Sequence, residues 1–100
     1  MKRVNIPKRF NLLGRTITVQ LSDAPAGHGT CGIWESAEDR ITIYTGEHSN
    51  RSSLEQTFLH EAVHGILERG GYTEEAANEQ LVDLLASLIH QMLASSYGKL

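Results

Sequence analysis

Cysteine occurs once, at Cys31, so no internal disulfide can form and a disulfide-stapled scaffold is excluded. The lone thiol suits a reducing compartment and is expected to be a small buried group. Proline occurs twice and aromatic residues make up 6% of the chain, which leaves the core to aliphatic side chains. An excess of cations is also missing. Lys and Arg total 9 against 12 Asp and Glu, for a formal net charge of -3, so neither nucleic acid nor an anionic membrane is an expected partner. The cations Lys2, Arg3, Lys8 and Arg9 cluster near the start and read as a solvated tail. No apolar run approaches a membrane span. Asn5, Pro7, Lys8 and Arg9 interrupt the beginning before a signal-peptide core could form, so a cytoplasmic protein is expected.

What is present fits one core and one domain, residues 1–100, with 40% hydrophobic and 21% charged residues. Strand signals fill the sheet-and-loop region, 1–50. Ile17, Val19 and Leu21 alternate with Thr16, Thr18 and Gln20, and Arg40-Ile41-Thr42-Ile43-Tyr44 alternates in the same way. Phe10 to Leu13 reads as a partner strand turning at Gly14, Cys31 to Trp34 as another strand, and Ser22 to Thr30 as a loop. Helix signals follow. Over 51–70, Ser52 with Glu55 or Ser53 with Gln56 offers a capping box, Leu54, Phe58, Leu59, Ala62, Val63, Ile66 and Leu67 form an apolar stripe, and Gly70 and Gly71 end the helix. Over 73–95, Thr73 is the expected cap and Leu81, Val82, Leu84, Leu85, Leu88, Ile89, Met92 and Leu93 carry a second helix. Strands followed by an antiparallel helical hairpin predict an α+β fold with a small mixed or antiparallel sheet of three to four strands.

The hairpin carries the chemistry. His60-Glu61-Ala62-Val63-His64 puts two imidazoles four residues apart on one helix face, where both can reach a single zinc ion, and leaves Glu61 to act on a water. A catalytic zinc site takes three protein ligands and keeps one position open. If the helices run antiparallel about a turn between Gly71 and Tyr72, Glu79 stands level with His64 and Asp83 level with His60. Each helix needs a rise of about 8–11 Å from turn to site, which the connection allows. Glu79 is therefore the expected third ligand and Asp83 the carboxylate that sets the His60 tautomer. The reverse, Asp83 as ligand with Glu79 outside, is the lesser variant.

At this point the chain resembles the gluzincin group of zincin metallopeptidases, which pairs His-Glu-x-x-His on one helix with a downstream Glu on the next. Thermolysin-like members write the second element Asn-Glu-x-x-x-Asp, and Asn78, Glu79 and Asp83 stand in that pattern. The resemblance covers roughly residues 40–94. Its outline is also similar to small phage- or prophage-encoded zincins and to peptidases that cut phage repressors. It implies Zn2+ at His60, His64 and Glu79, supporting roles for Asp83 and Asn78, and hydrolysis of a peptide or protein substrate. It also implies an edge strand beside the cleft, for which Arg40, Ile41, Thr42, Ile43 and Tyr44 are the candidates; an extended peptide would add along it. Two departures stand out. The gap between His64 and Glu79 is shorter than in the family, and no second lobe of the kind that supplies substrate pockets in large members is expected to follow.

Glu61 is the expected general base, passing a proton to the leaving amine. For the developing oxyanion, Tyr72 is the first candidate donor, with a packing aromatic as the equal alternative. His90 is expected to be a surface or packing histidine. His28 and His48 are read as solvated loop residues, with His48 also placed to line the cleft. Trp34 is read as a core or cleft-wall aromatic. A helix-turn-helix is rejected, because the second helix starts Glu74-Glu75 and is nearly devoid of cations. Two functions follow: a zinc metallopeptidase, or a zinc-stabilised, non-catalytic binding or regulatory module. A homodimer or protein partner that completes the cleft is compatible with either.

Overall fold

Alternating apolar residues in the first half of the chain build a four-stranded sheet in the computed structural model, which describes residues 2–25, 27 and 29–100. His28 lies outside the described residues. The strands are β1 (Arg9–Leu12), β2 (Arg15–Ser22), β3 (Gly32–Glu35) and β4 (Arg40–Tyr44), in the order β1-β2-β4-β3. β1 pairs antiparallel with β2, β2 parallel with β4, and β3 antiparallel with β4. The helices α1 (Arg51–Arg69), α2 (Thr73–Ala76) and α3 (Glu79–Ser95) follow, so the fold is α+β as the strand-then-helix order predicts. No described helix is long and apolar enough to cross a membrane.

Ile17 from β2 and Ile41 and Ile43 from β4 are fully buried beneath Phe58, Leu59, Ala62 and Val63 of α1. Val82 and Ala86 of α3 close the same cluster from the side. α1 therefore lies on the sheet and α3 packs along α1, which fixes the heights at which their polar residues meet.

Four local features differ from the sequence expectation. Asn50, not Ser52 or Ser53, caps α1: its Oδ1 accepts the Ser53 N–H at 2.9 Å, and Asn is among the strongest cap residues. Glu55 is thereby free to turn inward. Beyond Thr73 the expected single helix is two. The chain breaks after α2, and the Asn78 side chain caps α3 by accepting the Leu81 N–H at 3.1 Å. Thr73 caps nothing, since Tyr72 precedes α2 without a side-chain cap. At the end of α1, Gly70 stays right-handed and Gly71 alone takes the left-handed conformation, φ 90°. The Tyr72 N–H reaches Leu67 O and the Gly71 N–H reaches Glu68 O, the paired bonds that close a helix C-terminus.

The β1–β2 hairpin turns through Leu13 and Gly14, with φ 49° and 80°. Two left-handed residues in a two-residue loop favour Asn-Gly, and a leucine there is strained while 74% exposed. Leu13→Asn is expected to raise stability by about 0.5–1 kcal/mol. A denaturation midpoint at or below that of the parent chain would refute this.

Candidate metal centre

The apolar stripe of α1 faces the sheet, so His60 and His64, one turn apart, face sideways toward α3. Glu79 is the first residue of α3 and stands level with them, because the Asn78 cap fixes where that helix begins. Glu79 Oε1 lies 2.9 Å from His64 Nε2, Glu79 Oε2 lies 3.1 Å from His60 Nε2, and the two Nε2 atoms are 3.1 Å apart. Among the described residues, one donor atom from each of these three side chains lies within 4.8 Å of the other two. Asp83, one turn along α3, places Oδ1 2.8 Å from His60 Nδ1.

A carboxylate only accepts, so Asp83 Oδ1 can take a hydrogen bond from His60 Nδ1, the tautomer that would leave Nε2 free to ligate a cation at the point it shares with Glu79 and His64. Two imidazole nitrogens and a carboxylate, converging without a bulky group between them, form a donor set suited to a divalent cation. Zn–N and Zn–O bonds of about 2.0–2.1 Å in a tetrahedron place neighbouring ligand atoms roughly 3.3 Å apart. The observed separations of 2.9–3.1 Å are slightly tighter, so a small outward shift of the exposed Glu79 would admit the ion. The residues present fit the group.

Glu61 is 8% exposed yet lines the same cleft as the histidines. Burial raises its carboxyl above the ordinary carboxylate range. His60 and His64 pull it down, Glu79 pushes it up, and the Trp34 backbone N–H pulls it down, with the rise prevailing. Such a carboxylate holds a proton more readily than an exposed one, a property suited to a group that takes up and releases a proton.

The opposite wall is β3, one of the two edge strands of the sheet. Gly32 sits against α1, where an added Cβ would lie 2.7 Å from Thr57 Cγ2 and 3.3 Å from Glu61 Cγ. Trp34 covers Gly65, whose missing side chain lets the indole lie within 3.2–3.3 Å of a Cβ position. Glu68 Oε2 accepts the indole N–H at 3.2 Å, and the Arg69 guanidinium lies 5.1 Å from the ring centroid. Arg69 is itself tied to Asp39 at 2.6 Å, and hydrogen bonds from Arg15 and then Arg69 hold the Asp39 carboxyl at about 2. Strand and helix are thus clamped face to face, with a cleft of about 800 Å³ between β3, α1 and α3.

Several expected site residues stand elsewhere. Arg40, Ile41, Thr42, Ile43 and Tyr44 form β4, which is bonded to β2 on one side and β3 on the other. A strand paired on both sides has no free backbone edge to offer, so β3 takes the cleft-edge place. Tyr72 is 60% exposed at the hairpin turn and does not line the cleft. Asn78 acts through the α3 cap. His48 is held between Tyr44 O and Thr57 Oγ1, both at 2.8 Å, instead of being solvated or lining the cleft. Cys31 is exposed at the cleft, not buried. His90 is a buried packing histidine, bonded to Glu55.

Sequence reasoning passed over Gly32 and Gly65. The signal available was Gly65 itself, since glycine inside a helix costs about 1 kcal/mol against alanine and marks a close approach. Compared with protein-family models, curated proteins and solved structures, the chain finds no match, so its own residues carry the functional reading.

Proposed function

We propose that the protein is a zinc-dependent metallopeptidase. The observation that carries this reading is the convergence of His60 Nε2, His64 Nε2 and the Glu79 carboxylate at one point of an open cleft, with Glu61 beside them and outside the ligand set. When bound, zinc would supply the Lewis acidity that polarises a scissile carbonyl and acidifies a water. Asp83 fixes the His60 ring so that Nε2 faces inward. Glu61 takes a proton from the attacking water and delivers it to the leaving amine, which its raised affinity for a proton favours. The edge of β3 provides backbone groups along which an extended peptide can lie. The companion reading, a zinc-stabilised binding module, draws on the burial of Glu61, 8% exposed, which limits its access to a substrate.

The metal half of the proposal is tested by zinc titration against a chromophoric chelator. The purified chain is expected to bind about one zinc per molecule, with His64→Ala weakening affinity at least ~100-fold. Saturating zinc at about 100 Kd should add roughly 2.7 kcal/mol to the stability of the parent chain and little to the variant. Stoichiometric binding that survives both His60→Ala and His64→Ala would overturn the ligand assignment. The catalytic half is tested by zinc-dependent cleavage of quenched fluorescent peptides.

A further inference from the structure

Among the described residues, no Lys or Arg lines the cleft. Its titratable lining among the described residues is Cys31, His60, Glu61, His64, Glu79 and Asp83, and the rest does not ionise. The 9 Lys and Arg residues are all accounted for elsewhere. Arg15, Arg40, Arg51 and Arg69 are tied into ion pairs with Asp39, Glu35 and Glu55. Lys2, Arg3, Lys8, Arg9 and Lys99 belong to the two ends of the chain, and none lines the cleft. A divalent ion would offset two of the three carboxylates, Glu61, Glu79 and Asp83, and would leave no net positive charge for an incoming anion.

We propose that the cleft accepts internal polypeptide segments with neutral or basic side chains near the scissile bond, and discriminates against free terminal carboxylates and acidic flanks. This rests on the peptidase reading above and names the substrate class of that same site. An anionic group entering a half-desolvated cleft needs a cation or several donors to replace its water, and here it meets carboxylates. Recognition of a free C-terminus is therefore disfavoured. A free N-terminal ammonium has no dedicated partner either. Glu79 is engaged by both imidazoles, Asp83 by His60, and Glu61 by the Trp34 N–H. The acidic bias therefore acts as a field over the cleft and not as an end-binding pocket. Away from the metal, Asn50, Ser53, Gln56 and Ser87 offer both donors and acceptors, which suits the amide groups of a continuing chain.

The test uses the zinc-loaded full chain and pooled quenched peptides with randomised neutral cores, in four forms. These are both ends blocked, a free carboxylate next to the core, Glu on both flanks, and Lys on both flanks. The blocked and Lys-flanked pools are expected to be cleaved best. Each negative charge should lower kcat/KM about fivefold at low ionic strength, as for unit charges some 8 Å apart in a medium intermediate between protein and water. The gap should shrink in high salt. Binding of labelled peptides to the Glu61→Gln variant, read by anisotropy, should follow the same order without turnover. Ser87→Lys should raise the ratio of Glu-flanked to blocked cleavage about fivefold.

Cleavage in which the free-carboxylate pool is equal or superior would overturn the inference and leave the peptidase reading standing. So would a Ser87→Lys ratio that does not move. Failure of every pool to be cleaved by zinc-loaded protein would remove the peptidase reading, and the inference with it.

Discussion

Exchanging Glu61 for Gln is expected to cut peptide hydrolysis by about 10²–10⁴-fold while zinc binding is retained. Gln keeps the shape of the side chain and can still accept the Trp34 N–H, but it cannot take a proton from water. Its effect on stability should be neutral or favourable. Glu61 is 8% exposed and its charged form is disfavoured by burial, so a neutral isostere removes a desolvation cost. Loss of activity at unchanged or higher Tm would thus separate a chemical role from a structural one. His64→Ala should instead lose metal and activity together. Hydrolysis by Glu61→Gln within threefold of the parent would end the general-base assignment. Zinc binding without any peptide cleavage, in parent and variant alike, would favour the module reading.

The facing of His60 and His64 by Glu79 and Asp83 was legible by counting from a glycine turn, although the constant rise assumed on both sides holds only along α1, since the second helix is interrupted after Ala76. Counting from Gly71 and Tyr72 places Glu79 beside His64 before any packing is known. The break at Ala77 and Asn78 was not legible, since residues 73–80 hold no apolar side chain larger than alanine whose phase could register an interruption, and an asparagine in mid-sequence is not by itself a cap. It nonetheless brings Glu79 to the site, because a helix restarting at Asn78 presents its first residue next to the histidines.

Strand order was the larger omission. Alternation identifies β4 but says nothing about its neighbours, and the parallel pairing of Thr18–Ser22 with Arg40–Tyr44 is a nonlocal choice. A hint lay in burial on both faces. Ile41 and Ile43 face α1, and Thr42 is also covered, only 6% exposed and bonded to Glu35 at 2.8 Å, as befits an inner strand. Short Gly32–Glu35 with its glycine start suits an edge that must approach α1 closely. The cap of α1 was ambiguous for a different reason, since Asn50, Ser52 and Ser53 are all competent, and the partner that draws Glu55 away from a capping box, His90, lies 35 residues on.

That need leads to the largest expected loss of stability, from His90→Ala. Glu55 is 3% exposed and His90 6%, and His90 Nε2 lies 2.8 Å from Glu55 Oε1 across the α1–α3 interface. The Glu55 Oε2 atom accepts Arg51 Nε at 2.9 Å, and Arg51 Nη2 donates to Val4 O at 3.1 Å, so the cluster also fastens the N-terminal segment to the hairpin. Burial alone would raise the Glu55 carboxyl; hydrogen bonds from His90, Arg51 and the Val4 N–H outweigh it and hold it below the ordinary range. Its contribution to stability is therefore full above pH 4.5 and is lost as pH falls through the depressed folded value. Removing the imidazole strips a buried carboxylate of one partner and opens a cavity. A loss of about 2–4 kcal/mol is expected, short of the full cost of an orphaned ion because Arg51 remains. The acid limb of the stability curve should become shallower in the variant, so that its deficit against the parent chain narrows as pH falls, because a less depressed carboxyl gives up less on protonation. Replacing both partners with apolar residues, Glu55→Met with His90→Leu, should recover part of the loss, because no buried charge is then left unpaired, while the Val4 N–H loses its acceptor and Arg51, 39% exposed, keeps Val4 O. Chemical denaturation across pH 3–8 reads all three effects. A His90→Ala change below about 0.5 kcal/mol would show that the pair is not a determinant of the fold.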